Sequence, residues 1–372
     1  MKTLEDIPFL ENVPVLVRLG LNVPLVDGKP SSTFRLRRAI STVKYLQEHG
    51  ARVIVIGHIG RDPFATIKPV YEYLRTQIAP VSLSEHVCGS AVRERIRTLT
   101  PGEVLVLENV RRNKGEIEND ITFAKELASL ADVFVQDAFD TCHRNHASIV
   151  GVPQFLPSYG GKLLEAEIRE LQDALRPKKP SLALIGGAKF ATKEPLIEKL
   201  LGTYDRIFIG GALGNDLLKA RGYEIGKSIT SQKAHSLSEI AKDARIIGPV
   251  DAIVSSASGG GVRELSEIEK DDMIVDAGPR TIEVLREYIE DAKSILWNGP
   301  LGYYEHGYAE ATKDLALAIA GVNTHAVVGG GDTVASIEQL HVEERFSFIS
   351  TGGGAMLEFL THGTLPGIEA LN

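Results

Sequence analysis

Two doubly wound α/β domains on parallel, Rossmann-like sheets, joined by a helix and hinge, are the fold this sequence predicts. Three observations point there. The chain has 372 residues, more than one compact core accommodates. Short apolar runs dense in β-branched residues alternate with amphipathic stretches, as parallel strands covered on both faces require. The ends of those runs carry charged side chains in the first half and glycines in the second.

The first-half strand candidates are "VPVLVRL" (13–19), "RVIVIGH" (52–58), "EVLVLENV" (103–110) and "DVFVQDAF" (132–139). Between the first two, "RLRRAISTVKYLQEHG" (35–50) reads as a helix stopped at Gly50. The second half repeats the scheme in "SLALIGG" (181–187), "RIFIGG" (206–211), "ARIIGPVD" (244–251), "SILWNGP" (294–300), "HAVVGGG" (325–331) and "FSFISTGGG" (346–354). Two prolines and a glycine pair interrupt the pattern in "VPQFLPSYGG" (152–161), and "KLLEAEIRELQDALRP" (162–177) then has a helical period ending at Pro177. The expected division is therefore a first domain over 1–160, an interdomain helix over 161–177 and a second domain from 178.

Apolar residues make up 43% and the net charge is −8, which suits a folded acidic protein and argues against nucleic acid as a partner. No run is long enough to span a membrane, and the opening "MKTLEDIPFL" is acidic where a secretion signal is apolar. Cys88 and Cys142 are too few for a disulfide framework, so reduced thiols in the cytoplasm are expected.

Open parallel sheets bind ligands beyond the carboxyl ends of their strands. In the first half those ends carry Arg18 and Asn22 in "VRLGLN", His58 and Arg61 in "GHIGR", then Arg111, and His143, Arg144 and His146 in "QDAFDTCHRNHAS". Arg18 alone reads equally well as a solvated arginine. Arg35, in "TFRLRR", opposes the helix dipole in a first turn, unless it is simply part of a wet arginine run with Arg37 and Arg38. The histidines leave three readings open: an anion-facing cluster, a metal site or structural hydrogen bonding.

In the second half, "GGAKFATKEP" sets Lys189 and Lys193 four residues apart after a glycine pair, facing either a phosphoryl group or solvent. "LWNGPLGYYE" has a shaped loop after Trp297, which fills the core on the plain reading, and places Glu305 where a sugar hydroxyl finds an acceptor. "VVGGGDTVAS" (327–336) and "STGGGAMLEFL" (350–360) each bring a triple glycine to a helix start, where bare backbone N–H groups meet anions. Asp332 either caps its helix or faces a metal ion. The chain lacks both the G-x-x-x-x-G-K-[ST] loop and a G-x-G-x-x-G fingerprint at its first strand, which weighs against a dinucleotide dehydrogenase. Charged side chains in one half and exposed backbone in the other suggest a small anion and a polyphosphate respectively.

Taken in order, "VRLGLNVPL", "TFRLRRAISTVKYL", "GHIGR", "LENVR", "DAFDTCHRNHAS", "GGAK", "LKARGYEIGKS", "GPVD", "LWNGPLGYYE", "VVGGGDTVAS" and "STGGGAMLEFLTHGTLPGIEAL" resemble the phosphoglycerate kinase family over essentially the whole chain. The resemblance implies a monomeric, hinge-bending glycolytic transferase that passes a phosphoryl group reversibly between 1,3-bisphosphoglycerate and ADP in a closed interdomain cleft. It implies 3-phosphoglycerate or 1,3-bisphosphoglycerate in the first domain and ADP or ATP with Mg2+ in the second (178–355), with 356–372 returning toward the first. By motif, Arg18, Asn22, Arg35, His58, Arg61, Arg111 and Arg144 fall on the substrate side. Gly186, Gly187, Lys189, Lys193, Gly211, Asn298, Pro300, Glu305, Gly330, Gly331, Asp332 and Thr333 fall on the nucleotide side, with Asp332 at the metal and Glu305 at the ribose. Arg35, Lys193 and the turn Gly352, Gly353 and Gly354 are expected to act on the transferring group.

Two departures matter. The family pattern R-x-D-F-N is "RLGLN" here, with Gly20 in the aspartate's place, and N-D-A-F-G-T-A-H-R is "QDAFDTCHR", bringing Gln136, Asp140 and Cys142. The absent acceptor at residue 20 predicts weakened use of the substrate; a water or the nearby Asp140 fills the gap, although Asp140 also repels the substrate phosphate. Gly20 and the altered segment 136–142 also support an alternative, a catalytically impaired sensor of nucleotide or metabolite. A kinase for a different acyl phosphate is the third reading.

Overall fold

The computed structural model of the chain describes residues 1–188, 190–231, 236–257 and 259–372. It divides into two compact units, Met1–Arg169 with His362–Asn372, and Glu170–Thr361. The division falls inside the helix Lys162–Ala174, which stops three residues short of Pro177.

In the first unit the strands are β1 (Pro14–Arg18), a short hairpin of β2 (Leu25–Val26) and β3 (Lys29–Pro30), then β4 (Arg52–Ile56), β5 (Val81–Leu83), β6 (Val104–Val106), β7 (Val133–Gln136) and β8 (Ser158–Gly160). Six of them form a parallel sheet in the order β5-β6-β4-β1-β7-β8. β1 is flanked by β4 on one side and β7 on the other, so the chain reverses direction across the sheet at β1. The helix Phe34–Glu48 buries Leu36, Ala39, Ile40, Val43 and Leu46, a stripe at helical spacing, in the same core as Val15, Val17, Val53 and Val55. β8 corrects the sequence reading, which took "SYG" for part of a boundary loop. The segment is an edge strand beside β7, with the preceding Pro157 carbonyl accepting from Phe134 N–H at 3.0 Å. Near the C-terminus, Gly367 N–H donates to Cys142 O at 2.8 Å within this same unit.

The second unit contains β9 (Ser181–Ile185), β10 (Arg206–Ile209), β11 (Ile246–Ile247), β12 (Asp251–Ser255), β13 (Gly261–Glu264), β14 (Met273–Ala277), β15 (Ser294–Asn298), β16 (His325–Gly329) and β17 (Phe348–Ile349). The main sheet is parallel, in the order β11-β10-β9-β15-β16-β17. Its strand order turns at the β9–β15 pair, the switch point where a doubly wound sheet opens a crevice. β9 and β15 are buried at every residue, as strands covered on both faces must be. A second sheet, β13-β12-β14, is antiparallel and was not expected from sequence. The run "ARIIGPVD" splits at Gly248 and Pro249: its first part gives the two residues of β11, and Asp251 opens β12 in the other sheet. That small sheet packs Ala252 and Val254 against Leu218, Ile225, Leu265 and Ile268. No helix among the described residues is long and apolar enough to cross a membrane.

Trp297 lies on β15 with no exposure and donates its indole N–H to Gly299 O at 3.0 Å, fixing the turn that leaves the strand. Trp297→Phe strands that carbonyl and is expected to lower unfolding free energy by about 1–3 kcal/mol, read by urea denaturation followed by circular dichroism.

Candidate functional site

At the carboxyl end of β1 the Arg18 guanidinium has no exposure. A charge in that position has to be hydrogen-bonded and balanced. Arg18 Nε donates to Ser148 Oγ at 2.9 Å, and Nη1 donates to Leu19 O. Ser148 in turn donates both its hydroxyl, at 2.6 Å, and its N–H, at 2.9 Å, to the fully buried Glu116 carboxylate. The sequence did not single out Glu116 or Ser148. Burial pulls the Arg18 guanidinium below its ordinary value, and Glu116 and Asp140 act against that shift. A solvated Arg18 is thereby overturned.

Arg18 Nη2 lies 3.1 Å from His58 Nδ1. Guanidinium nitrogens only donate, so Nδ1 is the acceptor and the proton of the neutral ring sits on Nε2. Burial, then Arg18, Arg111 and Arg144, hold His58 far below the ordinary histidine value, which keeps it neutral. Its Nε2–H is buried and has no hydrogen-bond partner in the structure. The pair thus presents an N–H donor that stays neutral at working pH.

The neighbouring loop is held in shape for this site. Asn109 Nδ2 donates to Ile59 O at 2.9 Å and to Ala65 O at 3.0 Å, while Asn22 Oδ1 accepts from Gly60 N–H at 2.9 Å. Arg111 Nη1 donates to Gly60 O at 2.6 Å. The Arg111 guanidinium is pulled down by burial, then by Arg144 and Arg18. Arg144 Nε donates to His143 Nε2 at 3.4 Å. His146 is held down at about 4, first by burial and then by Arg111 and Arg144, with Glu116 Oε1 3.7 Å from its Nδ1. His143 thus accepts from Arg144, while His146, with its value lowered, lies beside Glu116. Among the described residues no group of three or more His, Cys, Asp or Glu is placed to hold a metal ion. Arg61 is exposed on the same loop. Arg35, in the first turn of its helix, donates Nη1 to Asn22 O and has Asp140 Oδ2 at 3.6 Å, so it is held by partners despite the dipole.

In the second unit the loops after β9 and β15 meet at the switch point. Gly186 N–H donates to Asn298 O at 2.9 Å, and Gly187 N–H to Pro300 O at 3.1 Å. A Cβ at Gly186 would overlap Pro300 O, and one at Gly211 would stand 2.7 Å from Gly187 N, so this approach admits only glycine. Lys193 is buried beneath these loops, donating to Gly186 O at 2.5 Å and to Asn298 Oδ1 at 2.9 Å. Burial pulls its ammonium down to about 7. Lys189 lies outside the described residues.

Beside these loops is a pocket of about 880 Å³ including its mouth, lined by Gly187, Gly211, Asn215, Pro300, Tyr304, Glu305 and Asp332 among others. Its walls also include Leu218, Ile229, Pro249 and Ile274, apolar positions that sequence reasoning did not assign to the site. Asp276 also faces it; burial pushes that carboxyl up to about 6 although Ala277 N–H and Ala311 N–H both donate to it.

Gly330 is the N-cap of the helix Gly331–Leu340, without a side-chain cap, and Asp332 stands exposed in the first turn. The capping role for Asp332 is thus overturned. Burial and the nearby Glu305 charge raise its carboxyl above the ordinary range. Thr333, fully buried, leaves its hydroxyl without a partner. Gly353 and Gly354, at the start of the helix Gly354–His362, have open space where side chains would be, and Gly352 N–H donates to Ser350 Oγ at 3.0 Å.

Comparison with known proteins identifies the family. The family model described as phosphoglycerate kinase matches residues 4–363. The phosphoglycerate kinase of Dictyoglomus turgidum is 42% identical over 97% of this chain and 96% of its own. That of Rubrobacter xylanophilus is likewise 42% identical, covering 97% and 96%. Among solved structures, phosphoglycerate kinase from Pyrococcus horikoshii superposes with a TM-score of 0.89 at 32% identity, covering 100% of this chain and 98% of its own. The Coxiella burnetii enzyme gives 0.82 at 35% identity, covering 99% and 98%. This chain belongs to the phosphoglycerate kinase family.

Proposed function

We propose that the protein is a phosphotransferase moving a phosphoryl group reversibly between 1,3-bisphosphoglycerate and ADP. The first unit takes the phosphoglycerate and the second the nucleotide. Family membership supplies the reaction. At the level of residues, the reading rests most on the buried Arg18 and neutral His58 set among Arg111 and Arg144, a concentration of donors with too few carboxylates to neutralise it. Such a site is stabilised by an incoming phosphate or carboxylate.

The nucleotide's phosphates are assigned to the glycine loops of Gly186, Gly187 and Gly211, and its ribose to Glu305. The base is assigned to the apolar wall of Leu218, Ile229 and Pro249. Asp332 fits a magnesium site, because Mg2+ commonly takes one or two protein carboxylates with phosphate oxygens, and among the described residues the charge that shifts this carboxyl is that of Glu305. When bound, the ion neutralises charge on the nucleotide phosphates. Arg18, Arg35, Arg111 and Arg144, with His58 Nε2–H, orient the acyl phosphate. Lys193 and the backbone at Gly352, Gly353 and Gly354 stabilise the equatorial oxygens of the group in flight. No protein nucleophile is needed, since carboxylate and nucleotide oxygens exchange the group in line. The working form we propose is a cytoplasmic monomer with these small molecules, and neither nucleic acid nor membrane, as its partners.

A coupled assay with 3-phosphoglycerate and MgATP tests the reaction, with Lys193→Ala as the reference. Loss of a buried cation at the transferring group is expected to lower kcat by about 100-fold or more. Because Lys193 also ties Gly186 to Asn298, ADP affinity should fall as well, but by less. Wild-type turnover no higher than that variant's would sink the assignment.

Lys193 gives a second expectation with a definite sign. Its amine titrates near 7 in the free protein, so at pH 8 it is mostly neutral there. Phosphate oxygens arriving beside it favour the charged form, so ADP binding at pH 8 should take up close to one proton more in wild type than in Lys193→Met. The difference should shrink toward zero by pH 6. Calorimetric titration in buffers of different ionisation enthalpy reads it directly.

A further inference from the structure

Gly20 follows Arg18 by two residues beyond β1, and Asp140 lies in the turn Phe139–Thr141 beyond β7, the strand paired directly with β1. A Cβ built on Gly20 would overlap Asp140 Oδ1, lie 3.1 Å from its Cγ and 3.5 Å from Arg35 Cδ. Gly20 is not among the positive-φ glycines, so its backbone would accept a side chain. What excludes one is the Asp140 carboxylate, which occupies the volume that residue 20 would fill.

That carboxylate is nine-tenths buried within the arginine cluster, with Arg35 Nη1 at 3.6 Å. Its charge opposes the binding of an anion unless it makes a ligand contact of its own. The surrounding arginines and His58 Nε2–H can only donate. Of the other polar acceptors nearby, Glu116 spends both oxygens on Ser148, and Asn22 Oδ1 is taken by Gly60 N–H. A doubly anionic ligand that also carries a hydroxyl needs an acceptor that these donors cannot supply.

We infer that Asp140 is that acceptor: it binds the hydroxyl of a phosphorylated hydroxy acid and sets the preference of the first unit for hydroxylated over deoxy acids. This rests on the proposed function. Residues 20 and 140 are then two anchor points for one carboxylate, and the paired departures at Gly20 and Asp140 amount to a single relocation. Expected weakness at Gly20 gives way to a filled acceptor position, and the main support for an impaired sensor goes with it.

The test uses the full chain under saturating MgATP with two acceptors, 3-phosphoglycerate and 3-phosphonooxypropanoate, which keeps both anionic groups and lacks the hydroxyl. Asp140→Gly should raise KM for 3-phosphoglycerate by roughly 10- to 100-fold, the cost of a lost charged hydrogen bond, and move that for the deoxy acid by less than about threefold. The double variant Gly20→Asp/Asp140→Gly should recover most of the loss. Gly20→Asp alone crowds two carboxylates and should be worse than wild type. Asp140→Asn keeps the side-chain volume and should show the same discrimination at smaller size, which guards against misfolding of the glycine variant. Equal KM shifts for both acceptors would make Asp140 merely the counter-ion of Arg35 and overturn the inference, as would an unchanged KM for 3-phosphoglycerate. If wild type turns over 3-phosphoglycerate no faster than Lys193→Ala, the kinase reading falls and takes this inference with it; an active wild type with non-discriminating variants removes the inference alone.

Discussion

Burial of the Arg18 guanidinium is the constraint on which the first unit's site depends. An arginine without exposure costs several kcal/mol of desolvation unless its hydrogens and charge are answered. The answer comes from three parts of the chain: Leu19 next to it, His58 after β4, and Ser148 with Glu116 from more distant segments. Each consequence follows from that fixed donor. His58 must accept at Nδ1, so its free proton sits on Nε2. Glu116 accepts from Ser148 at both oxygens, and its charge offsets part of the cost of burying Arg18. Arg111 and Arg144 remain in one another's repulsive field until a ligand enters.

The second unit meets the same electrostatic problem by other means. Its pocket is lined by Gly187 and Gly211, where side chains are sterically excluded, and Lys193 is sunk beneath these loops. Backbone lining of this kind carries none of the mutual repulsion that clustered arginines impose on one another. The apolar walls at Leu218, Ile229 and Pro249 suit the uncharged part of a nucleotide, which side-chain cations would leave unsatisfied.

Sequence reading recovered what is written in local pattern. The parallel strands with long β-branched runs and the helix Phe34–Glu48 were legible from periodicity, as were the glycine turns at the ends of β9, β15 and β16. Elements whose stability comes from neighbours were not. β8 is three residues long and borrows its conformation from β7, while β13 has a largely polar sequence and is held by pairing with β12. The apolar pocket walls were missed because Leu218 or Pro249, read singly, is indistinguishable from ordinary core. Asp332 was legible as one of two roles, and only the cap geometry at Gly330 removed one of them. Glu116 gave no signal at all, since its meaning depends on Ser148, 32 positions away.

Gly20 shows how a substitution read along the chain gains a different meaning once its neighbours in the fold are known. In one dimension the position loses a carboxylate, and the extra aspartate 120 positions later looks like an unrelated and repulsive addition. The register Arg18↔Gln136 turns those two facts into one. Residues just beyond the ends of paired parallel strands share the same volume, so a side chain can be supplied from either strand but not from both. With Asp140 placed as it is, residue 20 has room only for glycine. Aspartate at both positions would overlap, whereas glycine at both would remove the carboxylate that lies beside Arg35. Coupling of this kind is what packing at a buried polar site produces, because volume and charge must be satisfied together.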